Sequence, residues 1–275
     1  MRKETGLDKN MIKNNKKNKS LDINLGFLKI SVKKKNYLQK IWSYILNKFA
    51  FLYPNKKLYD YIVPLGDNCK YSTKFHYFYK FVDSTLFNWA EIIDKNNLEE
   101  IIRHPEEIYS QGWEYEKDRN MWICKKYNIS FHGRSLPEEL FTDGVFDESK
   151  KQADFEELRS RLNYLIEKTQ KIFSSKEKKL FVYTYEENDY DENPDFLRNL
   201  YKLMTEISSN FDFLVITHSD RKYESLENLT KELPNFYVRT IFHKTKDTNW
   251  SLVNCEFAPK FKKKQTKKRK FELKN

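Results

Sequence analysis

The sequence predicts an α/β fold: a mostly parallel sheet flanked by helices, with a small antiparallel hairpin and an N-terminal amphipathic helix. Three observations carry this expectation. Apolar and aromatic runs at 179–185 (KLFVYTY), 211–218 (FDFLVITH) and 236–242 (FYVRTIF) alternate with helical stretches at 195–209 and 221–233. Such alternation builds parallel strands joined by crossover helices. Upstream, 151–173 sets Phe155, Leu158, Leu162, Leu165, Ile166 and Ile172 on one helical face. Finally, 39% hydrophobic residues over 275 positions are enough to fill a sizeable core.

Taken in order, residues 1–21 are polar and Lys/Asn-rich, a composition that does not fold on its own. "INLGFLKISVKKK" follows, a short apolar patch ending in three lysines. Over 38–53, Leu38, Ile41, Trp42, Ile45, Phe49 and Leu52 repeat at helical spacing, with Gln39, Lys40, Ser43, Asn47 and Lys48 opposite, and Pro54 ends the helix. The body starts near residue 58. The run 61–65 reads as a buried strand and 69–80 as an aromatic-rich helix. A second helical stretch begins near Ala90 and continues through "LEEIIRH" (98–104). "NMWICKKYNISFHG" (120–133) reads as strand, turn and strand, and Asn193-Pro194 opens the helix over 195–209. Three segments result: a basic extension with its amphipathic helix (1–57), an α/β domain (58–259) and a basic tail (260–275). No internal repeat is present.

The net charge of +11 is unevenly distributed. Residues 1–57 carry +12 and residues 260–275 carry +8, leaving −9 on 58–259. An acidic body is a poor surface for nucleic acid, whose binding rests on phosphate neutralisation by Lys and Arg. Basic ends suit an anionic membrane surface, at about 1 kcal/mol for each Lys or Arg close to it; solvated tails are the plainer reading. Three cysteines (Cys69, Cys124, Cys255) with no CxxC argue against a disulfide scaffold and for a reducing compartment. Neither a secretory leader nor an apolar run of spanning length is found. The expected location is the cytoplasm, with 1–57 peripheral on the inner face of the membrane.

The candidate chemistry starts at "YIVPLGDNCKYSTKF" (61–75). A strand, the tight corner Gly66-Asp67-Asn68 and a helix would place Cys69 in the first helical turn. Positive potential there stabilises a thiolate, and Asp67 and Asn68 are helix-capping types. The plainer reading is a small residue packed under the helix. Of five histidines, His76 lies along the same helix as Cys69 and points away, and His104 ends a helix. His132 (ISFHGR) and His218 (VITHSD) end strands, where an imidazole is exposed. The acidic run "EENDYDEN" (186–193) could take a cation or sugar hydroxyls, but reads better as a solvated loop. No Gly-x-Ser-x-Gly elbow occurs, no Cys/His spacing suits zinc, and the SGNH-like "LGDN" has Asn68 where those esterases have serine.

"LGDNC" (65–69), "LFNWA" (86–90) and "FHGR" (131–134), followed by "FEELRSRLNYL" and "KLFVYTY", together resemble a bacterial family of uncharacterised proteins. That family is named as papain-like cysteine peptidases, domain of unknown function 1796. The resemblance covers about residues 60–220. It implies Cys69 as nucleophile and His132 as base. The family's Phe-Asp-Trp is Phe87-Asn88-Trp89 here; Asn88 would orient the imidazole through its amide oxygen. Asp67, Asn68, Trp89 and His218 are the expected substrate-binding residues. No metal and no cofactor are expected, the oligomeric state is open, and the substrate would be a peptide, acyl or glycan group. The strand–helix alternation, rather than a papain-like half-barrel, sets the expected fold. The competing expectation is a membrane-surface component or sugar-modifying enzyme of bacterial surface-polysaccharide biosynthesis, working without cysteine catalysis. A binding module in which Cys69 is packing is the third.

Overall fold

A computed structural model describes residues 21–24, 29–32, 56–65, 72, 84–109, 112–133, 135, 137–142, 145–185, 194–218, 223–241, 250, 252–254 and 256–260. The amphipathic helix expected at 38–53, most of the helix expected at 69–80 and the tail 261–275 lie outside these residues. In chain order the strands begin with β1 (Leu21–Asn24), β2 (Lys29–Val32), β3 (Lys57–Tyr59), β4 (Tyr61–Pro64) and β5 (Ala90–Ile92). Helix α1 (Leu98–Arg103) precedes β6 (Trp113–Glu116), β7 (Met121–Cys124), β8 (Ile129–His132), β9 (Phe141–Thr142) and β10 (Val145–Phe146). Then come α2 (Glu148–Ser174), β11 (Lys179–Tyr185), α3 (Pro194–Ile207), β12 (Phe211–His218), α4 (Glu224–Glu232), β13 (Phe236–Ile241) and β14 (Phe257–Pro259).

The predicted α/β class holds. The main sheet has the order β13-β12-β11-β4, every pair parallel. Strand order therefore follows chain order, and right-handed crossovers set all the connecting helices on one face. Apolar residues of α2, α3 and α4 accordingly share a single core with Val63, Phe181, Tyr183, Phe213 and Val215. The alternate residues Ile62, Leu180, Val182, Leu214 and Ile216 point the other way. Tyr59, Trp250, Val253 and Phe257 close that second face. Both faces are covered, which explains why these strands are runs of apolar residues rather than alternations.

The short pair β14–β3 is also parallel, and the Lys260 N–H donates to the Tyr59 carbonyl at 2.6 Å. Beneath the main sheet, the Tyr59 hydroxyl donates to Asp212 Oδ2 at 2.7 Å, and Lys178 Nζ lies 3.3 Å from the same oxygen. Burial, and then the bond to Asp212, push the Tyr59 phenol far above its ordinary range. Its stabilising contribution is complete below the unfolded value of about 10 and is lost as pH rises beyond it, by about 1.4 kcal/mol per pH unit. Between pH 9 and 11, urea unfolding of the native chain should lose stability faster with pH than that of Tyr59→Phe, the difference approaching that slope. Equal slopes would refute the assignment.

The antiparallel element is larger than the expected hairpin. β7 and β8 pair as predicted, but β6 and β5 extend them into a four-stranded sheet, β5-β8-β7-β6. Ala90–Ile92, expected to begin a helix, is instead an edge strand opposite Ile129–Phe131. Ala90 and Ile92 are buried while Glu91 between them is half-exposed, the two-residue period of a strand. Helix begins only after Asp94, whose carboxylate accepts from the Asn96 N–H at 3.0 Å.

Helix α2 joins the two sheets. Asp147 caps it, accepting from the Ser149 and Lys150 N–H groups. Near its start Phe155 packs on Trp122 and Trp113, with ring centroids 4.7 and 5.6 Å away. Near its end Phe173 packs on Phe181 at 5.4 Å. The buried Lys179 ammonium closes the helix, donating to the Ser175 and Glu177 carbonyls at 2.6 and 3.0 Å. Burial draws its pKa below the usual lysine value. Among the described residues no helix is long and apolar enough to cross a membrane.

Candidate functional site

His132 is the last residue of β8 and is solvent-exposed, whereas Phe131 before it is buried. Its ring Nδ1 lies 3.3 Å from the Asn120 carbonyl oxygen. A carbonyl oxygen can only accept, so this contact requires the proton on Nδ1. In the neutral ring Nε2 then carries the lone pair, the state a general base needs.

The strand end is tied down on its other side by α2. Arg161 Nη2 donates to the His132 carbonyl at 2.6 Å. Asp154, itself buried, accepts from the Trp122 indole N–H and from the Ser135 backbone N–H, each at 2.8 Å. A Cβ at position 133 would overlap the Asp154 carboxylate, lying 3.2 Å from its Cγ. Glycine is therefore what lets the backbone past. Asp154 and Arg161 are seven residues apart on a helix, hence on one face. Together they fix where the chain leaves β8.

Asn88 is buried and turned inward. Its Oδ1 accepts from the Thr85 N–H and hydroxyl, both at 2.6 Å, and its Nδ2 donates to the Ser72 hydroxyl at 3.3 Å. The Leu86 N–H donates to Thr169 Oγ1 at 2.9 Å, fastening the same turn to α2. The acceptor on the His132 imidazole is thus the Asn120 carbonyl, while the Asn88 amide holds the 85–88 turn together. Trp89 is exposed, with its indole N–H 3.4 Å from Ser84 Oγ. Ala90 pairs with Phe131, so the register continued by one step sets Trp89 opposite His132.

Cys69, Asp67 and Asn68 lie outside the described residues, as does the acidic run 186–193. The stretch 66–71 is bracketed in sequence by two buried positions, Leu65 and Ser72. Leu65 donates its N–H to the Val182 carbonyl at 2.7 Å, at the carboxyl end of β4, and Ser72 meets Asn88. His218 is the last residue of β12, opposite Ile241; its side chain is not among those described. Cys124 is fully buried with Sγ 3.8 Å from the Ile108 carbonyl, and burial pushes its thiol above the ordinary value. This thiol is placed for packing.

Asn120, Asp154 and Arg161 escaped the sequence reading. Asp154 did leave a signal. It stands four residues before Leu158 and eight before Leu162, on the apolar face of α2, where a carboxylate needs a buried partner. Asn120 and Arg161 act through backbone carbonyls, which leave no mark in side-chain patterns. No family model, no curated protein and no solved structure matches this chain.

Proposed function

We propose that the chain is a thiol-dependent hydrolase or acyltransferase of the kind its resemblance to the papain-like cysteine peptidase family implies. Cys69 is the nucleophile and His132 the base. Nε2 of His132 takes the thiol proton, and the thiolate attacks a substrate carbonyl. Backbone N–H groups around 68–70 hold the oxyanion. Collapse returns the proton to the leaving group and leaves a thioester, which water or an acceptor nucleophile then cleaves, regenerating the thiol. The substrate is a peptide, acyl or glycan group, with Asp67, Asn68, Trp89 and His218 as its proposed binding residues. The observation that supports this best is the His132 ring itself: exposed, with Nδ1 on a carbonyl and Nε2 left as the acceptor. The Ser72–Asn88 contact adds to it, drawing the segment after Cys69 toward the turn that leads into β5, the neighbour of β8.

Labelling with a vinyl sulfone probe at neutral pH tests the reading. The native chain should label, Cys69→Ala should not, and His132→Ala should label at least about tenfold more slowly, since positioned proton transfer contributes 10²–10⁴-fold. Cys124, buried, should stay unlabelled until the protein unfolds. Equal labelling of the native chain and Cys69→Ala would end the proposal.

We further propose a cytoplasmic location with residues 1–57 resting on an anionic membrane surface. The +12 charge of that segment supports it. The full chain should float with vesicles containing about one-third phosphatidylglycerol and be released by salt. A chain lacking 1–57 that floats equally well would refute the anchor.

A further inference from the structure

The contact on His132 Nδ1 comes from a turn held at every position but one. Residues 117–120 join β6 to β7, and Asn120 lies one residue beyond the last cross-strand pair, Met121 with His132. Asn120 has φ 51°, a left-handed conformation that Asn tolerates better than most residues. The Tyr115 hydroxyl donates to its Oδ1 at 2.6 Å. Lys117 Nζ sits 4.2 Å over the Phe141 ring, and the Asn120 N–H donates to the Lys117 carbonyl at 3.1 Å. Arg119 bridges Glu91 and Glu116 and reaches Met121 Sδ at 3.6 Å. A hairpin loop needs none of this to reverse the chain. Together the contacts fix the direction of one carbonyl, that of Asn120, and it points at the imidazole.

We propose that the 117–120 turn is the positioning element of His132, with Asn120 as the positioning residue and Tyr115 as its support. This rests on the reading of His132 as the base. The Asn120 carbonyl selects the Nδ1–H tautomer and holds the ring plane, so Nε2 is the atom presented to the reacting proton. Tyr115 acts through Asn120: it keeps the side chain, and with it the left-handed backbone, in one orientation. Its ring also packs edge-on against Trp122 at 5.3 Å, so removing only the hydroxyl leaves the packing in place.

The test is the tautomer of the neutral His132 ring, read from ring ¹⁵N shifts of the full chain in alkaline buffer. The native protein should show mainly Nδ1–H. Tyr115→Phe should lower that fraction at least twofold without changing the thermal midpoint appreciably. Asn120→Asp, which keeps both the acceptor for Tyr115 and tolerance of the left-handed region, should retain the native tautomer. Vinyl sulfone labelling of Cys69 should slow in Tyr115→Phe and not in Asn120→Asp. A native ring that is mainly Nε2–H, or a tautomer indifferent to Tyr115→Phe, would overturn the positioning role. A native Nδ1–H tautomer combined with undiminished labelling in Cys69→Ala would instead overturn the catalytic reading and leave the positioning standing.

Discussion

Asp154→Ala is expected to lower stability by about 3 kcal/mol. Truncation leaves the buried Trp122 indole N–H without its acceptor, which alone costs about 1–3 kcal/mol, and removes the bond to the Ser135 N–H as well. Gly133→Ala should act on the same contact from the other side. Its Cβ would collide with the Asp154 carboxylate, an overpacking cost of about 1–3 kcal/mol. The two changes should therefore not add. In the Asp154→Ala background the obstacle is gone, and Gly133→Ala should cost little. Urea unfolding of the two single variants and the double variant gives the coupling directly. Strict additivity would mean that Gly133 is required for some reason other than Asp154.

Phe181→Ala is expected to cost about 3–5 kcal/mol, the range for removing a large buried aromatic. Phe181 is fully buried in β11, with β12 on one side and β4 on the other. Its ring meets Phe173 and Phe211 edge-on, each at 5.4 Å. Strands on both flanks keep the backbone from closing the hole, so the upper part of the range applies. Because Phe173 belongs to α2, the cavity also loosens the helix that carries Asp154 and Arg161. The denaturation midpoint is the measurement; a loss below about 1 kcal/mol would show that the neighbouring rings refill the space.

Legibility in the sequence followed element length and burial. The strands 179–185, 211–218 and 236–241 were readable from the length of their apolar runs, and the helix 148–174 because it repeats its period several times. Ala90–Ile92 and Phe257–Pro259 have three residues each, too few to show any period, and Trp113–Glu116 alternates aromatic and glutamate over only four. Tertiary pairing decided those segments. The candidate site divides in the same way. An exposed His132 followed from its place at a strand end. The role of Asn88 depended on competition between a distant imidazole and a local partner. Thr85, three residues away, took the amide oxygen, as short-range side-chain-to-backbone bonding favours.

The parallel pairing of Lys57–Tyr59 with Phe257–Pro259 has an electrostatic consequence. It brings the two margins of the acidic body to one point, where Lys260 and Tyr59 share a hydrogen bond. The segments carrying +12 and +8 are therefore rooted side by side on a body of −9, rather than at opposite poles. An anionic surface that captures one tether meets the second at high effective concentration. Under the proposed anchoring on an anionic membrane, capture by both would turn the β3–β14 ladder toward that surface.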